Sequence, residues 1–320
     1  MAVKYLPQEY LYLSARLRAK ESAIVGKERL ARFCAMPEAE ILSTLAAEGF
    51  FAPNVPREAA LLQMLRDGFS VLCEAPDPHA LAFLRYPYDA HNLKTALKCH
   101  ILSRDPAPLY LDVGTVPVSE LAEVPTSVPD SLPVHLREAV EKAYHAYLQN
   151  KDPREIDFLL DAACFADMAE CNEIPLAVRL VALRADVTNL RTCRRLLAMQ
   201  AGGMGEGMLR RAFLPGGTLT LDALLALYNG GEEEFFASVA KGEYARVFEK
   251  DDPAEIDRAA EDLYLCAARE GARVPFGAEV VIGYVLGIEY AVKNLRILLV
   301  AKETGEDTEG LNRRLRESYV

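Results

Sequence analysis

Apolar positions along this chain recur at helical spacing over almost its whole length, and stretches that alternate with period two are short and few. From Leu11 the positions Leu11, Ala15, Leu17, Ser22 and Val25 trace one face, with Arg16, Arg18, Lys20, Lys27 and Arg29 on the wet side. MPEAEILSTLAAEGF (36–50) opens on Pro37 with acids in its first turn and stops at Gly49, which predicts a short helix. PREAALLQMLRDGFSVLCEA continues from Pro56, with Gly68 as an internal weak point. DPREIDFLLDAACFADMAECNEI starts with Asp152 as N-cap, a proline next and Glu155 at the third position. DPAEIDRAAEDLYLCAARE, from Asp252, repeats that opening. Two strand candidates, LYLDVGTVPV near Leu109 and GTLTL near Gly217, are short enough to be extended loops. The pattern predicts an all-α protein.

Two segments interrupt the helical pattern. DVGTVPVSELAEVPTSVPDSLPVHL, from Asp112, is rich in proline and reads as an irregular connection. AGGMGEGMLRRAFLPGGTLTL, from Ala201, reads as a second, with its GGMGEG a loop. They divide the chain into units 1–110, 111–212 and 213–320. The second and third units share markers in one order: Gly-Thr at 114 and 217 (217 − 114 = 103), helix-opening prolines (253 − 153 = 100) and an Asn (294 − 189 = 105). The first unit shares the Asn (189 − 92 = 97) and a weaker helix start at Pro37. A period of about a hundred residues exceeds the ~34 to ~47 of helical solenoid repeats, so it implies three copies of a small helical domain.

The shared Asn sits where Asn is unexpected. RYPYDAHNLKTALKCH, RADVTNLRTCRR and EYAVKNLRILLVAK each place Asn-Leu-basic inside a helix, although the Asn amide competes for backbone hydrogen bonds and favours caps and turns. The triplets are Asn92 with Lys94, Asn189 with Arg191, and Asn294 with Arg296. Asp89 and Asp186 lie three residues before the first two Asn, on the same helix face. The third copy departs, its acid Glu289 lying five before. A buried amide must be satisfied by its neighbours, and each Asn is expected to bond to an adjacent helix once per domain. A ligand or ion site repeated in each unit is the weaker reading.

Composition adds exclusions. With 36 basic and 47 acidic residues the chain carries a net −11, which speaks against nucleic acid. Seven scattered cysteines without CxxC spacing read as buried reduced thiols of a cytosolic protein. The N-terminal segment lacks the apolar core of a signal peptide. The longest apolar run, VVIGYVLGI (280–288), is far short of the ~20 residues that span a bilayer. GGMGEG fails dinucleotide spacing, no Walker lysine motif or nucleophile elbow occurs, and Glu232, Glu233 and Glu234 read as a solvated helix start. His79, His91, His100, His135 and His145 show no ligand spacing, so no metal, cofactor or catalytic residue is expected.

RYPYDAHNLKTALK, RADVTNLRTCRR, GIEYAVKNLRILLVAKETG and the N-terminal YLYLSARLRAKES resemble the C-subunit family of V/A-type rotary ATPases, whose eukaryotic counterpart is the d subunit. The resemblance spans the chain, with NLRILLVAKETG its most specific part. It implies an all-helical, funnel-shaped protein of three similar domains about a pseudo-threefold axis. It also implies a non-catalytic part of the central stalk that couples the central shaft to the membrane rotor ring for proton or sodium transport. Such a protein is cytoplasmic and peripheral on the membrane through that ring. A helical scaffold or regulator unrelated to ATPases is the alternative.

Overall fold

The computed structural model describes residues 5–171, 173–200 and 202–320. Among them there is no strand, and the helices are α1 (Leu11–Glu21), α2 (Lys27–Cys34), α3 (Glu38–Ala47), α4 (Arg57–Ser70), α5 (Tyr86–Leu102), α6 (Val134–Asn150), α7 (Arg154–Glu170), α8 (Pro175–Ala198), α9 (Gly202–Ala212), α10 (Leu221–Val239), α11 (Pro253–Ala268), α12 (Ala278–Thr304) and α13 (Thr308–Arg314). They group into two compact units. A middle unit, His79–Glu249, holds α5 to α10; a terminal unit joins the chain through Pro78 to Lys250–Val320.

In the terminal unit α12 is the central element, with every residue from Val280 to Ile288 buried. The long apolar run is thus core, against which α1, α4 and α11 pack. Gly68 is the contact point between α4 and α12 rather than a weak spot: a Cβ there would overlap Ile288. The first amides of α12 are satisfied from the N-terminal segment. Ala278 N–H donates to Tyr5 Oη at 2.9 Å, and Gly277 N–H to Ser14 Oγ at 3.1 Å. This turns the buried face of α1 to Leu13, Ser14 and Leu17, leaving Leu11 and Ala15 exposed, in contrast to the face traced from periodicity.

In the middle unit α7 packs against both α5 and α6, and α8 against α9 and α10. The two Asp-Pro openings behave differently. Asp252 caps α11, accepting from Glu255 N–H at 2.9 Å. Asp152 instead accepts from the Arg154 amide and is held by the Arg154 guanidinium at 2.8 Å, so α7 starts without a side-chain cap. GGMGEG lies in helix α9, not in a loop, although Ala201 falls outside the described residues. Burial of Leu209 and the Glu206–Arg210 pair at 2.7 Å override the low propensity of its glycines. Gly231, at φ 82°, kinks α10, and Glu232 beyond it is not simply solvated but pairs with buried Arg194 at 2.9 Å. Of the cysteines, Cys99, Cys164 and Cys193 are buried, Cys34 and Cys171 half-buried, and Cys73 and Cys266 exposed, so the expectation of buried thiols holds for only part of the set.

Candidate functional site

Asn92, Asn189 and Asn294 lie within α5, α8 and α12, and none is more than 1% exposed. Their amides meet one residue each. Asn92 Nδ2–H donates to Leu111 O at 2.8 Å while Leu111 N–H donates to Asn92 Oδ1 at 2.9 Å. Asn189 does the same with Leu214, both bonds at 2.9 Å. Asn294 does so with Arg316, at 3.1 and 2.9 Å. Each amide reads the N–H and C=O of a single residue, as a neighbouring strand would. The partner is the chain returning after the helix, 19, 25 and 22 residues later, rather than a facing helix as expected.

The carboxylates extend this bracket in two copies. Asp89, 1% exposed, accepts from the Thr115 amide at 2.8 Å, the Thr115 hydroxyl at 2.6 Å and the Val116 amide at 3.2 Å. Burial pushes its pKa above the usual carboxylate range, against the pull of those donors. Asp186, fully buried, accepts from the Thr218 amide at 2.9 Å, the Thr218 hydroxyl at 2.5 Å, the Leu219 amide at 2.9 Å and the Tyr244 hydroxyl at 2.9 Å. Burial, and the acceptor Asp186, raise the Tyr244 phenol. The repeated Gly-Thr dipeptides are the other half of the device. A Cβ at Gly114 or Gly217 would overlap the Asp89 or Asp186 carboxylate, so only glycine lets the backbone come this close.

The strand candidates are explained by this arrangement. LYLDVGTV and GTLTL are not strands but runs of turns and bends, and Asn and Asp side chains of α5 and α8 bind their backbone. In the third copy the offset of the Asp falls on Ala291, and Glu289 takes no part in the bracket. A different group secures the returning chain there: Glu261 of α11 pairs with Arg316 Nε at 2.6 Å and with Lys293 Nζ at 2.7 Å. Burial works against its charge, yet the two cations hold the Glu261 pKa below its ordinary value.

The basic residues of the triplets point elsewhere. Lys94 pairs with Asp161 of α7 at 2.5 Å and Arg296 with Glu58 of α4 at 3.1 Å, while Arg191 is half-exposed on α8. In the sequence the Asp-Asn pairs and the Gly-Thr pairs stand as separate features, and only the fold joins them. The signal is present in their shared order, but sequence separations of 26 and 32 hide the contact. Chemically these are latches. Their acceptors face inward onto the chain's own donors, and none presents a nucleophile to solvent.

No helix among the described residues is long and apolar enough to cross a membrane. Residues 13–314 match the ATP synthase (C/AC39) subunit family, and the chain belongs to that family. Its members are structural, not catalytic, parts of V/A-type rotary ATPases. The chain is similar to the C subunit of the V-type sodium ATPase of Enterococcus hirae, with 23% identity over 334 residues covering 97% of this chain and 99% of the relative. The alternative of a scaffold unrelated to ATPases is thereby set aside.

Proposed function

We propose that this chain is the central-stalk rotor part of its complex, a socket that couples the central shaft to the membrane proteolipid ring. In this reading it consists of three similar helical units, 1–110, 111–212 and 213–320, each with one Asn-bearing core helix. Torque passes through it without chemistry, so the part must resist shear between each core helix and the chain that follows. The observation that supports this is the bracket itself, used three times along a chain that matches the family almost from end to end. The relative is named for sodium. A socket that touches no ion serves proton or sodium transport alike. Its place is the cytoplasmic side of the membrane, held there by contact with the ring.

Deleting the protein tests this. Hydrolysis of ATP by the soluble sector should persist, ion pumping should stop, and the soluble sector should wash off the membrane. Membranes that still pump at normal rates with the sector attached would overturn the proposal.

A further inference from the structure

One cluster of ligand-type side chains in the middle unit is not used by the brackets. His135 is the second residue of α6, and Asp167 and Glu170 lie one turn apart on α7. One donor atom from each falls within 4.8 Å of the others. We propose that His135, Asp167 and Glu170 form a binding site for a divalent transition-metal ion of the Zn2+ class, with water completing the coordination.

Four features support the assignment. First, the ligands stand on two helices packed directly on each other, α6 and α7. Second, Asp167 is a carboxylate 4% exposed whose oxygens accept from the His135 amide at 3.0 Å and the Leu136 amide at 2.9 Å. It forms no ion pair with lysine or arginine among the described residues, and two backbone donors hold it as outer donors hold metal-bound carboxylates. Third, His135 Nε2 lies 2.9 Å from Glu170 Oε1, so the two already share a hydrogen bond that a cation can replace. Binding then consumes the lone pair of a neutral imidazole and releases any proton the pair holds. Fourth, one imidazole with two carboxylates suits Zn2+ better than Mg2+, which keeps to oxygen ligands. Tetrahedral ligand atoms at bonds of about 2.1 Å lie about 3.4 Å apart. The Glu170 side chain, 66% exposed, has room to adjust to that spacing. The ion would staple α6 to α7.

Calorimetric titration of the full-length protein with Zn2+, followed by thermal unfolding, tests the site. One equivalent should bind and raise Tm. His135→Gln and Glu170→Gln should each weaken binding at least ~tenfold while leaving the metal-free Tm near that of the parent. Asp167 is not a useful target, because it also holds the start of α6. Co2+ spectra separate this site from adventitious capture by the exposed thiols of Cys73 and Cys266: nitrogen and oxygen ligation is expected. Thiolate ligation, unaltered affinity in both variants, or no binding at all would each overturn the proposal.

Discussion

The middle and terminal units solve the same problem with one shared part and one different part. In both, an Asn inside a core helix brackets a single residue of the returning chain. In the middle unit a buried Asp on the same helix, one turn earlier, takes up the next amides and a threonine hydroxyl. In the terminal unit that position is Ala291, and the lock is a cluster of charges: Glu261 between Lys293 and Arg316, with Asp262 accepting from the Glu317 amide at 2.7 Å. One lock is dry and uses neutral donors; the other is partly wet and ionic. The Asn is therefore the invariant of the device within this molecule, and the second lock is interchangeable.

The largest effect should come from removing the dry lock. Asp186→Ala leaves two part-buried amides, the Thr218 hydroxyl and the Tyr244 hydroxyl without their acceptor, and empties a fully buried site, an expected loss of roughly 3–5 kcal/mol in urea unfolding. The reciprocal graft is nearly as harmful. Ala291→Asp puts a carboxylate at a position 3% exposed where no Gly-Thr follows, and should cost at least about 2 kcal/mol. A stabilised Ala291→Asp protein would show that the Asp does not depend on the Gly-Thr pair.

Next come the shared residues. Asn92→Leu, Asn189→Leu and Asn294→Leu each orphan one N–H and one C=O, costing roughly 1–3 kcal/mol apiece. Asn→Asp at the same positions keeps the acceptor for the N–H but sets a carboxylate against the C=O, so it should recover little. Leu variants that unfold at the parent's midpoint would remove the bracket as a source of stability.

The comparison also shows what can be read from sequence. Helix content follows from apolar periodicity, because burial decides it and burial is written every third or fourth residue. Asn92, Asn189 and Asn294 are visible as residues that violate helix preference, and a buried violation needs a partner. The identity of that partner is not visible. Leu111, Leu214 and Arg316 offer only backbone to the bracket, and backbone leaves no letter in the sequence. The face of α1 is illegible for a related reason: Ser14 is turned inward by an amide of α12, some 263 residues away.

Acidification should separate the two locks by a smaller margin. Glu261 has a folded pKa below its ordinary 4.5, so its contribution is present above that value and is lost as pH falls through the folded pKa. Asp89 has a folded pKa above 3.8, so its contribution is greatest below that value and declines as pH rises through the folded pKa. Lowering pH from about 6 to about 4 should therefore weaken hydrogen-exchange protection of the Arg316 amide more than that of the Leu111 amide, after correction for intrinsic rates. Added salt should act in the same sense, because it screens partly exposed charges and leaves the buried Asp bonds unaffected. Equal responses of the two amides would mean that the terminal lock does not depend on its charges.

The smallest effect belongs to the third letter of the triplet. Lys94 and Arg296 recur beside their Asn as regularly as the Leu does, which invites the view that they belong to the bracket. Their surroundings argue otherwise. The Lys94–Asp161 pair has side chains 21% and 44% exposed, and the Arg296–Glu58 pair 45% and 58%. Pairs this wet gain little Coulomb energy and must immobilise long side chains, which leaves about 0–1 kcal/mol. Lys94→Met should fall at the upper end, since its ammonium is the less exposed and also lies 4.0 Å from Asp157. Arg296→Met should be nearly silent in stability, with any loss erased at high salt. A loss from Arg296→Met as large as that from Asn294→Leu would place the charge inside the latch and break the division between a buried bracket and a solvated pair.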